Sequence, residues 1–302
     1  MLALAGEVLL DLLWEEATPW RFQGVLGGSV LNTATALRRL GFPVRLLSEL
    51  GSDWLSRRCE AEMEARGLEL RLLRHPEAMP LALVQPNPQG EAAYSFHLPF
   101  RAPYRPEPGS LRGARVFHFA SLFALDPRTE GGLAALLEEA WGEGALLAFD
   151  PNLRRPPTPE ERRRLWGYFH QVDLLKLSLE DARLLFPEDP VGRVRGLPPR
   201  LKVLTLGAEG AVAFFRGEAV RLPGETVAVA DTVGAGDSFT AGFLALLLRR
   251  GYTGDNLDQL RPEDLEEALR GGIALGALAC TVRGAGLPEA GLAAWKKAYL
   301  GD

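Results

Sequence analysis

The chain has 302 residues, and the 47% of them that are hydrophobic suffice for one large α/β domain or two smaller ones. A net charge of −5 and the lack of a basic tract with interleaved aromatic residues argue against a nucleic-acid-binding protein. The only cysteines, Cys59 and Cys280, exclude a disulfide scaffold or a zinc ribbon and favour an intracellular protein.

The N-terminal stretch MLALAGEVLLDLLW is apolar, but it lacks a leading positive charge and is interrupted by Glu7 and Asp11. It is therefore predicted to form a strand rather than a signal peptide. The longest apolar runs are too short to cross a bilayer. We expect a soluble, cytoplasmic protein that binds neither nucleic acid nor membrane.

Short apolar runs alternate with stretches of helical periodicity along most of the chain. The predicted strands are LALA (2–5), VRLLSEL (44–50), RVFHFA (115–120), ALLAFD (145–150), VDLLKL (172–177) and KVLTLG (202–207). The predicted helices lie at 28–40, 53–66, 128–141, 159–170 and 179–186, followed by a mostly helical C-terminal part at 236–250, 263–282 and 290–299. This alternation predicts a mainly parallel sheet with helices on both faces.

Residues 79–98, MPLALVQPNPQGEAAYSFHL, interrupt the alternation. They read as two strands joined by a Pro/Asn/Gly turn, which predicts an inserted hairpin. With part of residues 8–24, the hairpin can form a small β-sheet that stands off the main body. Such a sheet can cover a pocket, or the hairpin can merely extend the main sheet at one edge, and the sequence alone leaves both open.

The stretch DTVGAGDSFTAGFLALLLRR (231–250) begins as a glycine-rich loop and continues as an apolar helix. Gly234, Ala235 and Gly236 carry no bulky side chain, so their backbone N–H groups can approach a ligand closely. The first N–H groups of the helix and its dipole favour negative charge. The loop is therefore a candidate cradle for a phosphate or an oxyanion.

Asp237 stands in the first turn of this helix, and two interpretations of it are open. A first-turn carboxylate is common and stabilises a helix end. Alternatively, Asp237 is a general base that the helix end keeps ionised, and it takes the proton of an alcohol that attacks a phosphate in the same cradle. The chain contains no Gly-Lys pair and no G-x-G-x-x-G/A after a strand, so P-loop and dinucleotide-binding folds are disfavoured.

A glycine pair, Gly27 and Gly28, leads into another predicted helix, GGSVLNTATALRRLG. Asn32 is the unusual polar residue in its first turns. The glycines can simply form a tight turn while Asn32 caps the helix or faces solvent. They can also present N–H groups that, with Asn32 and Asp11, bind the hydroxyls of a polyol.

Three further segments follow predicted strands, at the end of the sheet where open α/β sheets bind ligands. In FDPNLR (149–154), Asp-Pro-Asn is ordinary turn chemistry, but Arg154 can reach a transferring phosphate. In KLSLEDA (176–182), Ser178 and Asp181 fit a capping box. TLGAEGAV (205–212) reads as strand, glycine turn, strand.

Together these blocks resemble the ribokinase-like (PfkB) carbohydrate kinases. The blocks GGSVLNTATALRRLG, DPNLR, KLSLEDA, TLGAEG and DTVGAGDSFTAGF follow the order of that family over nearly the whole chain. The segments ARVFHFASL, FDPNLRRP and DLLKLSLEDA are most similar to the bacterial fructokinase branch. The resemblance implies a single three-layer α/β/α domain over residues 1–302, with a mainly parallel central sheet and a β-sheet lid formed by roughly 8–24 and 79–100.

The resemblance also implies site roles. The catalytic positions it matches are Asp237 as base, the charge-stabilising loop Gly234, Ala235 and Gly236, and Arg154. The sugar-binding positions are Asp11, Gly27, Gly28 and Asn32. The ATP-binding positions are Ser178, Thr205, Gly207 and Gly210, with the segment 271–286 flanking the adenine. Asp181 would serve Mg²⁺ through water, with Glu180 as a substitute, and Asp231 and Val233 lie where some members bind a monovalent cation such as K⁺.

The implied reaction is transfer of the ATP γ-phosphate to a primary hydroxyl of a small sugar, with fructose as the first candidate. Other acceptors of the same family are 2-keto-3-deoxygluconate, ribose or a nucleoside, and a non-catalytic sugar or nucleotide sensor is a further alternative. Two departures from the family pattern are Ser178-Leu-Glu-Asp181, where N-x-x-E is usual, and Ser29-Val30-Leu31, where many fructokinases have Ala-Pro-Ala. Because lid sheets of this family often pair across subunits, the resemblance also implies a homodimer.

Overall fold

The structure is a computed structural model that describes residues 1–15, 18, 20–86 and 92–301. Within these residues, nine strands form the main sheet. Their order across the sheet is β13 (Glu218–Leu222), β12 (Ala211–Phe215), β11 (Leu201–Thr205), β10 (Leu174–Ser178), β9 (Leu146–Asp150), β8 (Val116–Ala120), β1 (Leu2–Ala5), β4 (Val44–Leu50) and β5 (Glu69–Arg74). All neighbours are parallel except the terminal pairs β11–β12 and β12–β13.

Strand β1 lies inside the main sheet, with later strands of the chain on both of its sides. It pairs with β4 on one side and with β8 on the other, so the strand order reverses there. In open α/β sheets, ligands bind beyond the carboxyl ends of the strands at such a reversal. The topology therefore places a binding site where β1 and β8 end.

Helices cover both faces of the main sheet. In chain order they are α1 (Ser29–Arg39), α2 (Trp54–Ala65), α3 (Ser121–Leu125), α4 (Glu130–Gly142), α5 (Pro159–Phe169), α6 (Leu179–Leu185), α7 (Pro190–Arg195), α8 (Ala235–Arg249), α9 (Pro262–Ala279) and α10 (Glu289–Tyr299). One hydrophobic core holds α1, α2, α8, α9 and α10 against one face, and a second holds α3 to α7 against the other. The predicted α/β/α arrangement is thereby confirmed.

The alternation of side chains along a strand explains how one apolar run supplies two cores. In β8, Val116 and Ala120 enter the first core, whereas Phe117 and Phe119 enter the second. A strand buried on both faces favours apolar residues at most of its positions. This is why the central strands were recognisable as continuous apolar runs.

The described chain also contains a separate sheet of four strands, which we call the lid. It comprises β2 (Leu9–Trp14), β3 (Phe22–Gly27), β6 (Leu81–Pro86) and β7 (Ala92–His97), in the order β3-β2-β6-β7. The hairpin predicted at 79–98 is therefore part of a second sheet and does not extend the main one. Its predicted turn lies outside the described residues, as do residues 16, 17 and 19.

The N-terminal stretch contains two strands, since β1 belongs to the main sheet and β2 to the lid. Within the described residues, no helix is long and apolar enough to cross a membrane.

Candidate active site

Two glycines bring the start of α1 close to the lid. A Cβ on Gly27 would lie 2.2 Å from Oδ2 of Asp11, and one on Gly28 would lie 2.3 Å from the carbonyl oxygen of Glu7. Gly28 also has a φ of +124°, which residues with a side chain rarely adopt. Glycine is thus required at both positions for the lid carboxylate and the α1 N-terminus to approach each other.

Asp237 is held by α1 rather than by its own helix. Ser29 Oγ donates to its Oδ1 at 2.6 Å, and Asn32 Nδ2 donates to its Oδ2 at 2.8 Å. The residue before α8, Gly234, adopts a left-handed φ of +75°, and no side chain in the described part of the protein caps this helix end. The half-buried carboxylate therefore lies beside an uncapped helix N-terminus, which favours anions.

The surroundings of Asp237 suit a general base. Burial raises the pKa of its carboxyl above the ordinary value, and the hydrogen bonds from Ser29 and Asn32 act in the opposite direction. The dipole of α8 alone favours an ionised Asp237, and the burial that opposes ionisation comes from tertiary packing that the sequence does not reveal. A raised pKa brings a carboxylate closer to the pH at which proton acceptance is most effective.

The inner face of the lid carries Asp11 and Tyr94. Burial raises the pKa of Asp11 to about 6, although Arg154 acts to lower it. Arg154 is exposed, and its guanidinium carbon lies 5.5 Å from the centre of the Tyr94 ring. The charges of Asp11, Asp231 and Asp237 all act on Tyr94 as well. The structure therefore gathers the predicted sugar-binding and catalytic residues under one sheet.

The predicted nucleotide positions follow β10 and β11. Ser178 caps α6, and Oδ2 of Asp181 accepts a hydrogen bond from the Ser178 backbone N–H at 2.7 Å. These two contacts confirm the predicted capping box. The other oxygen of Asp181 accepts from the Leu153 N–H at 2.6 Å. Both carboxylate oxygens are thus engaged, whereas the neighbouring Glu180 is exposed.

A glycine turn follows Thr205 at the end of β11. Gly207 and Gly210 have φ values of +60° and +95°, and a Cβ on Gly210 would lie 2.1 Å from the Leu222 carbonyl oxygen. In the segment 271–286, Gly271 and Gly272 instead lie between α9 and α8, since a Cβ on either would contact Leu246 or Phe239. These two glycines serve helix packing.

Asp231 links the glycine-rich loop to the segment after α9. Its carboxylate accepts from the N–H of Val233 at 3.1 Å and from the N–H of Gly284 at 2.9 Å. A Cβ on Gly234 would lie 2.6 Å from Cβ of Ala285. Within the described residues, no three His, Cys, Asp or Glu side chains cluster as a metal site.

Sequence reasoning missed two residues that contact this site. Ser29 stood out only as a departure from the fructokinase pattern, although it binds Asp237 across 208 positions of sequence. Lys176, inside an apolar strand pattern, is buried and pairs with Asp150 at 2.8 Å. An unexpected lysine in a buried strand was the available signal, because an unpaired buried ammonium is very costly.

Comparison with known proteins agrees with this geometry. Residues 13–290 match the pfkB family carbohydrate kinases. The chain therefore belongs to the pfkB family of carbohydrate kinases. It is 30% identical to the probable chloroplastic fructokinase-6 of Arabidopsis thaliana, over 93% of this chain and 77% of that protein. It is also 28% identical to the fructokinase of Escherichia coli, over 93% of both chains.

A solved structure with the same fold is the fructokinase of Xylella fastidiosa with bound ATP. It superimposes with a TM-score of 0.87 and covers 98% of each chain, at 26% identity. This agreement extends over both the main sheet and the lid.

Proposed function

We propose that this protein is an ATP-dependent sugar kinase that transfers the γ-phosphate to a primary hydroxyl of fructose. The observation that carries the proposal is the placement of Asp237, an acceptor carboxylate with a raised pKa beside an uncapped helix N-terminus. Fructokinases among the relatives support the choice of sugar. The ATP in the similar Xylella fastidiosa structure supports the choice of phosphoryl donor.

In this proposal the sugar lies beneath the lid, with its hydroxyls bound by Asp11, Asn32 and the N–H groups of Gly27 and Gly28. The primary hydroxyl gives its proton to Asp237 as its oxygen attacks the γ-phosphorus. The bond between that phosphorus and the bridging oxygen breaks, and ADP leaves. The N–H groups of Gly234 and Gly236, the dipole of α8 and Arg154 offset the charge on the transferring group, whereas the Ala235 N–H donates to the Thr232 carbonyl oxygen in this structure.

ATP would lie along the carboxyl ends of β10 and β11, near Ser178, Thr205 and the turn with Gly207 and Gly210. Mg²⁺ bound to ATP would neutralise phosphate charge. Asp181 would reach the ion through water, since its own oxygens are engaged, and the exposed Glu180 is the nearby alternative. The carbonyl groups around Asp231 and Val233 would hold a monovalent cation such as K⁺.

A coupled ADP-release screen over fructose, glucose, ribose, 2-keto-3-deoxygluconate and nucleosides tests the function. We expect fructose to give the highest kcat/KM with ATP and Mg²⁺. A dominant nucleoside, ribose or 2-keto-3-deoxygluconate signal would reassign the acceptor within the family. Ligand binding without ADP release from any acceptor would instead indicate a non-catalytic sensor.

We further propose a homodimer formed through the outer face of the lid. The alternation along the strands puts Leu12, Trp14 and Phe22 on the face opposite to Asp11, and the register aligns Leu83 with Leu12. Phe22 and Leu83 are more than a third exposed, at 39% and 36%. An exposed apolar face of this kind favours a partner of the same chain.

The mass in solution tests this dimer. Leu83→Lys should shift sedimentation from dimer to monomer, whereas Trp141→Glu, on the exposed side of α4, should not. A monomeric wild-type protein would refute the lid dimer.

We also propose that the protein works in the cytoplasm, where ATP, its proposed phosphoryl donor, is available.

A further inference from the structure

Lys176 lies directly behind the loop that is proposed to receive the phosphoryl group. A Cβ on Gly236 would lie 3.2 Å from the Lys176 ammonium nitrogen. The lysine is the central residue of β10, and its side chain is only 9% exposed. A side chain at position 236 would therefore press against a buried cation.

This ammonium is surrounded by acids. It donates to Asp150 Oδ2 at 2.8 Å, and it makes no other hydrogen bond within the described residues. Burial alone lowers the pKa of Lys176, but the nearby carboxylates of Asp150, Asp181 and Asp237 raise it overall. The ammonium of Lys176 thus interacts with three carboxylates, at a site that in the proposed function binds a highly charged nucleotide.

A buried lysine at this position would be a costly choice if its only role were to stabilise the fold. Buried ion pairs generally add little stability, because the loss of hydration offsets the attraction between the partners. Lysine is also rare here, with four lysines among the 34 basic residues, whereas arginine is abundant. A compact ammonium fits the space beneath Gly236. Because an ammonium has three N–H donors, its one bond to Asp150 leaves two donors for other partners.

We propose that Lys176 is a positioning residue for phosphoryl transfer: its buried charge supports the Gly234–Gly236 loop from the sheet side and offsets the surrounding carboxylates when the γ-phosphate arrives. The inference rests on the proposed kinase function and assigns a role to a residue outside the motifs that define the loop. It predicts that the charge of Lys176, and not the integrity of its ion pair, controls turnover.

Three variants separate the charge from the ion pair. Lys176→Met removes the positive charge, Asp150→Asn breaks the pair but keeps the charge, and the double variant removes both charges of the pair. Lys202→Met, in the adjacent strand β11, is the control for loss of a partly buried lysine. If Lys176→Met does not fold, the double variant still answers the question, since replacing both partners is often tolerated.

We expect kcat of the double variant to fall about 10- to 100-fold, less than the roughly 10²–10³-fold loss typical of a donor that touches the oxyanion. KM for fructose should stay within about twofold, and Asp150→Asn and Lys202→Met should retain most of kcat. A folded double variant with kcat within twofold of wild type overturns the proposal. An equal loss in Asp150→Asn also overturns it, because that result indicates a structural pair.

Nucleotide affinity provides a readout that does not require turnover. Calorimetry with Mg²⁺ and either ADP or the non-hydrolysable analogue AMP-PNP isolates the effect of the γ-phosphate. We expect the preference for AMP-PNP over ADP to fall in the double variant and to persist in Lys202→Met, and an unchanged preference would overturn the proposal. If wild type phosphorylates no sugar, the proposed function fails, and the AMP-PNP preference still decides the role of Lys176.

Discussion

Helices α5 and α8 both carry an acid as their third residue, but the two acids behave differently. In α5, Glu161 bonds back to the Thr158 N–H at 2.8 Å and pairs with Arg155 at 2.8 Å. The hydrogen bond from Arg155 is the main reason that its pKa is lowered. Glu161 therefore satisfies and stabilises its own helix end.

In α8, Asp237 turns away from its own helix to Ser29 and Asn32, and burial raises its pKa. Within the described residues it forms no ion pair. A half-buried carboxylate without a paired cation is still costly, and acids perturbed in this way concentrate at functional sites. The same position in a helix is thus a stabilising cap in one case and a candidate base in the other.

The largest expected effect is on turnover. Asp237→Asn should lower kcat about 10²–10⁴-fold, because a positioned general base is lost. The fold and fructose binding should persist, as circular dichroism and calorimetry would report. Glu161→Gln, the matched change in α5, should leave kcat unchanged, and near-normal turnover of Asp237→Asn would remove Asp237 from the role of base.

The approach of Gly27 to Asp11 predicts an effect on substrate affinity. Gly27→Ala would displace the Asp11 carboxylate, and losing its hydrogen bonds to the sugar should raise KM for fructose by roughly 10- to 100-fold. Gly24→Ala is the control in the same strand, since its Cβ would meet only Leu10 at 3.5 Å. Equal KM values for the two variants would contradict a sugar-binding role for Asp11.

The pH profile should report the environment of Asp237. A base must be deprotonated, so kcat/KM falls as pH falls through its pKa, and burial places this limb above the ordinary value of 3.8. Ser29→Ala removes a hydrogen bond that lowers this pKa, so the limb should move to higher pH. An unmoved limb would assign it to another group, such as Asp11.

The smallest expected effect concerns the cap of α5. Because the folded-state pKa of Glu161 is lowered, its contribution is present above its unfolded value of 4.5 and is lost as pH falls through the folded value. Glu161→Gln should cost at most about 1 kcal/mol at pH 7. Urea unfolding should show this loss shrinking in acid, and a constant loss would argue against the ion pair with Arg155.

The sequence predicted the interior of the fold better than its edges. The helix predicted at 159–170 is observed as Pro159–Phe169, because a capping box and an N-terminal proline define its start. Strands β5 and β13 were missed. Their sequences, ELRLLR and EAVRL, mix charged and apolar residues, since both strands lie at an edge of the sheet and have solvent-facing positions.

For the site, local patterns identified the separate pieces but not their contacts. The Ser178–Asp181 capping box was readable because its partners are three residues apart. The bonds from Ser29 and Asn32 to Asp237 join segments more than 200 residues apart, and no local pattern encodes them. The burial that raises the pKa of Asp237 arises only after those segments fold together.

Two hairpins from distant parts of the chain build the lid, and among the described residues the parallel pairing of β2 with β6 joins them into one sheet. Neither hairpin can be expected to persist alone, because isolated two-stranded ribbons are marginal in water. Engineers who wish to transplant the specificity of a relative must therefore exchange both hairpins at once, since a hybrid of old and new halves would mismatch along that junction.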